Sequence, residues 1–167
     1  MLTVFLIFAL SDLALMAIAT GLGFTVVDDA YFARHFLLGL MTGLYTCFVH
    51  IVTFMYFVVC EKIIRQAVLS GQLTPEAQIT ATTLKSRAVR ASLSGIASIL
   101  LVIGFGGAIG TYVSPSIHRD TAFASLAINA AAFAWQFSLI RRNRRHFDAA
   151  FERATIETES VVSSRSA

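Results

Sequence analysis

The stretch GLYTCFVHIVTFMYFVV, residues 43–59, sets one histidine, His50, in the middle of an apolar run. An imidazole there has three chemistries open to it: metal ligation, proton handling, or a hydrogen bond that fixes helix packing. Asp12 and Asn129 sit in comparable surroundings, within LTVFLIFALSDLALMAIATGLGF and TAFASLAINAAAFAWQFSLI. Asp12 is ten residues from Leu2, His50 ten from Cys60 and Asn129 eleven from Ile140. At 1.5 Å per residue all three lie about 15–17 Å from the same end of their runs. Asp12, His50 and Asn129 are therefore expected to form an intramembrane polar layer. An Asp12 carboxylate accepting a proton bond from the His50 ring would solve two solvation problems together.

The cofactor chemistry follows from what else stands near His50. A b-type haem commonly takes two axial histidines, and His50 is the one histidine at mid-membrane depth. His35 lies about 22 Å away along the same helix, at the outer boundary. His118 follows Pro115 in the outer connection, and His146 belongs to the tail. Haem thus requires either His50 with a partner chain's histidine or an intrachain pair of His35 and His118. Zinc is disfavoured, because no cluster of three or four ligands is visible. Cys47 shares a helical face with His50, but two donors make no structural site. A quinone needs an apolar slot with a hydrogen-bond donor and an aromatic wall. His50, Tyr56, Trp135 and Gln136 are the candidates for that slot, and His50 is the candidate metal ligand. Cys47 and Cys60 are about 20 Å apart along one helix, beyond disulfide reach.

These side chains need long apolar elements to position them, and the composition supplies little else. Hydrophobic residues make up 56% of the 167 and charged residues 14%, with a mean hydropathy of +0.72. A soluble domain needs more polar surface. Four apolar runs, at about 2–24, 36–60, 93–113 and 121–140, each have the roughly 20 residues a helix needs to cross hydrocarbon. Helix is required, since lipid cannot satisfy open strand edges. The first run lacks a basic leader and a cleavage site, and reads as a retained helix. The predicted fold is all-α: a four-transmembrane-helix bundle over residues 1–145 with an amphipathic, then disordered, C-terminal extension over 146–167.

Lys62, Arg65, Lys85, Arg87 and Arg90 occupy the 61–91 connector, while Arg141, Arg142, Arg144 and Arg145 follow the fourth run. The positive-inside rule places both termini and this connector in the cytoplasm, in a bacterial inner membrane. The net charge of +3 then reflects anchoring to anionic lipids rather than nucleic-acid binding. Gly71 is a helix stop, and Thr74 before Pro75 a helix start. Gly39 and Gly43, and Gly106 and Gly110, have the four-residue spacing of closely packed membrane helices. Pairing of helices one with two and three with four resembles an internal duplication in outline only.

No nucleophile elbow, paired carboxylates or histidine cluster marks an enzyme. The chain is expected to be a non-catalytic accessory or anchor subunit of a larger membrane assembly, with electron transfer the expected setting. Two alternatives stay open: a haem b or quinone subunit using His50, and a small proton conductor using Asp12 and His50.

Overall fold

The computed structural model describes residues 1–26, 29–108 and 112–165, with side chains as far as residue 156. Four α-helices dominate it: α1 (Leu2–Leu22), α2 (Asp29–Leu69), α3 (Pro75–Gly107) and α4 (Pro115–Arg165), with a 3-10 turn at Gly23–Thr25 after α1. Each is long and apolar enough to cross a membrane. Their outward faces carry exposed Ile7, Leu10, Leu44, Leu100 and Phe123, side chains that lipid rather than water would cover. The chain is a multi-pass integral membrane protein with an all-α bundle.

The helices outrun the apolar segments. With 41 residues, α2 is about 60 Å long, twice the hydrocarbon thickness of about 30 Å. Hydropathy marks where lipid lies, whereas helical hydrogen bonding continues until a turn signal interrupts it. Gly71, at φ 75°, supplies that signal after α2, and its N–H reaches the Val68 carbonyl at 3.0 Å. Both prolines open helices, where a missing N–H costs nothing: Pro75 follows an extended Thr74, and Pro115 begins α4. His118 consequently sits in the first turn of α4, not in the outer connection. α4 then runs without a break through Ile140 to Arg165.

Beyond the membrane-spanning parts, α2, α3 and α4 stay together through polar contacts. Lys85 donates to Glu61 at 3.0 Å, Asn143 to the Tyr56 hydroxyl at 3.2 Å, and the His146 Nε2–H to the Ala77 carbonyl at 2.9 Å. The helices form a ring in chain order, α4 closing on α1, so that α2 and α4 face each other across the centre.

The two hairpins, α1–α2 and α3–α4, are related in a way the residue types hide. Buried positions recur 83 residues apart: Phe5 and Ala88, Met16 and Ile99, Thr42 and Ser125, Val49 and Ala132, Phe57 and Ile140. So do Asp12 and Gly95, Thr46 and Asn129, His50 and Phe133, and Thr53 and Gln136. A constant register of buried positions defines a pseudo-two-fold axis along the bundle, as in membrane proteins built from parallel repeats.

Phe5 packs edge-to-face on Phe133 with ring centres 6.1 Å apart, within a core that includes Val49, Phe57, Leu84 and Ala88. Ala88 in that cluster is fully buried, so a larger side chain there has no free space to enter. Ala88→Leu should cost about 1–3 kcal/mol through overpacking. At the lipid-facing Leu93, Leu93→Ala should stay within about 0.5 kcal/mol of wild type; reversible unfolding in mixed detergent micelles measures both.

Candidate functional site

Polar side chains gather at two levels on the bundle axis. At the middle level His50 is fully buried and both its ring nitrogens are engaged. Nε2–H donates to Asn129 Oδ1 at 2.8 Å, and Nδ1 accepts from Gln136 Nε2 at 3.1 Å. That pattern describes a neutral imidazole in one tautomer. The amides continue outward: Gln136 donates to Ser92 Oγ at 2.9 Å, and Asn129 to Ser98 Oγ at 3.0 Å and the Ser125 carbonyl at 2.9 Å. Ser92 in turn donates to the His50 carbonyl at 3.2 Å. Beneath this web the His50 ring stacks on Phe133 at 4.7 Å and 16°.

Gly95 makes room for the arrangement. A Cβ there would collide with His50 Nε2 and stand 2.8 Å from Asn129 Oδ1. The expected Asp12–His50 bond is absent. Asp12 instead meets Thr46, one turn before His50, with 2.8 Å between its Oδ1 and the Thr46 hydroxyl. The same hydroxyl lies 2.9 Å from the Thr42 carbonyl. The Thr46 hydroxyl therefore donates its one proton between two acceptors, the Asp12 carboxyl oxygen and the carbonyl a turn earlier on its own helix. The second oxygen, Oδ2, has no protein partner, and neither does the Thr42 hydroxyl.

The second level lies toward the α1–α2 and α3–α4 turns. His35 of α2 and His118 of α4 face each other there, ring centres 6.1 Å apart and planes crossed at 81°. The His35 Nδ1–H donates to the Ala19 carbonyl at 3.1 Å. His118 is its counterpart 83 residues on, and Val102 the counterpart of Ala19. The His118 ring lies near the Val102 carbonyl, and its Nδ1 is buried without a hydrogen-bond partner. Glycines complete the correspondence. A Cβ on Gly23 would come 3.1 Å from His35 Cε1, and one on Gly106 would come 3.0 Å from His118 Cε1. Each histidine thus lies over a glycine that follows its carbonyl by one helical turn.

A cleft passes through this pair. Its inner part, about 90 Å³, is lined by Met16, Gly39, Thr42, Ile103 and Ser125 among others. Its outer part, about 420 Å³, is bordered by Phe24, Phe32, Ser116 and Arg119. Both parts share His35, His118 and Ala122.

The remaining candidates are dispersed. Gln136 joins His50, but Tyr56 bonds Asn143 nearer the arginine-rich end and Trp135 is exposed, so the four do not line one slot. Gly43 meets Ile103 closely, whereas Gly39 has open space beside it. Gly110 lies outside the described residues. Arg141, Arg142, Arg144 and Arg145 are all exposed, Arg141 over the Phe137 ring at 5.8 Å and Arg144 3.7 Å from Asp148. Sequence reading passed over Ser92, Ser98 and Ser125. The stripe Ser125, Asn129, Gln136 on one face of α4 was the available signal. No group of three or more His, Cys, Asp or Glu able to hold a metal occurs among the described residues. No protein-family model, curated protein or solved structure matches the chain.

Gly95→Ala should displace the His50 ring and cost about 1–3 kcal/mol, seen as a lower midpoint in detergent unfolding. Asp12→Asn should remain within about 0.5 kcal/mol of wild type, because the amide oxygen can still accept from Thr46. Asp12→Leu should lose about 1–3 kcal/mol by stranding buried polar partners. Equal losses for the two variants in the same assay would show that Asp12 acts there as a carboxylate.

Proposed function

We propose that the protein is an accessory membrane subunit of an electron-transfer assembly, holding a redox-active metal centre between His35 and His118. The observation that carries this reading is the contrast between the two histidine environments. His50 has both nitrogens committed to protein groups, as a packing residue should. At the outer level His35 commits its Nδ1 alone, and His118 Nδ1 makes no closed bond. An Nδ1–H held by a backbone carbonyl leaves Nε2 with its lone pair free, the usual second-shell arrangement of a metal-ligating imidazole.

The centre would take one electron from a reduced partner and pass it to an oxidised one. The chemistry belongs to the metal, and the chain supplies position and a low-dielectric surround. Positive-inside charge bias supports a topology with both termini and the arginine-rich face in the cytoplasm of a bacterial inner membrane. The histidine pair then lies in the opposite leaflet, with Arg141, Arg142, Arg144 and Arg145 beside anionic lipid headgroups and partner subunits. A purely structural accessory role has one observation in its favour, the self-contained bonding of His50.

The full chain, purified with its partners in mild detergent, should contain a redox-active metal and show a reversible one-electron wave. Replacing both His35 and His118 with alanine should reduce that signal by about tenfold or more. Native protein free of any redox-active metal would refute the proposal.

A further inference from the structure

The geometry points to a b-type haem as the centre, its iron held axially by His35 and His118 and its macrocycle set edge-on along the pseudo-two-fold axis. This rests on the reading that the two histidines hold a redox metal, and it names which one.

Donor count comes first. Two imidazoles face the cleft, and no third His, Cys, Asp or Glu joins them among the described residues. Zinc, copper(II) and non-haem iron sites usually draw three or four ligands from the protein. A haem brings four equatorial nitrogens of its own and asks the protein for an axial pair. Metal–imidazole bonds of about 2 Å would place two ring centres on opposite sides of one ion about 6 Å apart. The observed separation is 6.1 Å.

Shape comes second. A macrocycle extends from its iron past the neighbouring turn of each ligating helix, so the residues one turn away must be small. Four residues inward from the histidines stand Gly39 and Ala122, themselves 83 apart, and both line the cleft. Beside Gly39 no atom lies within 4 Å of a Cβ position. The inner and outer parts, about 90 and 420 Å³, together fall within the range of about 300–1,000 Å³ common for cofactor sites.

Symmetry and polarity come third. A flat ring with an axial ligand on each face is matched by a two-fold axis in its plane, and here each hairpin contributes one ligand. The inner edge would meet Thr42 and Ser125, again 83 apart. The Thr42 hydroxyl is buried without a partner and lines that end of the cleft. At the open end Arg119 borders the outer part. Its pairing with Asp120 is exposed and weak, leaving the guanidinium able to turn to a propionate.

The test is haem content and spectrum of the full chain, expressed with ample haem supply and purified in mild detergent. The expected result is about one haem per chain with a six-coordinate low-spin spectrum, lost by about tenfold or more in His35→Ala and in His118→Ala. His146→Ala, at the far end of the bundle, should keep it. Gly39→Leu should exclude the ring sterically while helix content and elution in detergent stay unchanged, so that loss of haem is separated from loss of fold. Haem retained at wild-type level in both histidine variants, or in a folded Gly39→Leu, overturns the site. Copper or another redox metal bound without haem overturns the haem but leaves the proposed redox role standing. A chain with neither metal nor haem overturns both.

Discussion

Within hydrocarbon there is no water to receive a stray N–H or carbonyl, so most polar side chains are answered from inside the bundle, Asp12 Oδ2, the Thr42 hydroxyl, His118 Nδ1 and Gln136 Oε1 being buried exceptions among the described residues. Much of the interior follows from that one constraint. His50 is held by two carboxamides, the carboxamides are held by serines and a backbone carbonyl, and Gly95 lacks a side chain because any carbon there would strike the imidazole. Apolar packing sets where the helices run, and this web ties α2, α3 and α4 to one another at mid-bundle. The lipid-facing sides, by contrast, need only be greasy, and their residue choice is correspondingly loose.

Which polar residues lie inside was legible from the residues alone, and partnership was not. Counting along helices put Asp12, His50 and Asn129 deep in their apolar runs, and all three are fully buried. Counting gives one coordinate, however. Which side chains meet depends on rotation and on which helices are neighbours in the ring. His50 therefore pairs across the centre with α4, while Asp12 stays with Thr46 on the adjacent α2. Apolar runs and helices differ in extent for a related reason: the runs report the thickness of lipid, whereas turn residues such as Gly71, Pro75 and Pro115 report where hydrogen bonding stops. Composition and charge nonetheless sufficed for the all-α, four-span architecture.

The outer histidines show a different limit. In the sequence they are 83 residues apart and share no motif. Only when the hairpins are superposed in register does each stand over a glycine one turn beyond its facing carbonyl. The glycine removes the side chain that would otherwise cover that carbonyl, so a small residue acts through what it leaves accessible. A reading that treats Gly106 as a helix-packing device sees the gap but not its occupant.

Two identical copies of one hairpin, associating as a homodimer, would place the same side chain twice at every axial position. The outer level tolerates this, since a matched pair of imidazoles is what it contains. The middle level does not: two histidines in the stacked positions of His50 and Phe133, each with a threonine rather than an amide nearby, would leave four ring nitrogens and no complementary set of donors and acceptors. With both hairpins on one polypeptide the halves can differ: one supplies the imidazole and the other the amides and the glycine gap. Covalent linkage is thus what makes an asymmetric centre compatible with a symmetric rim.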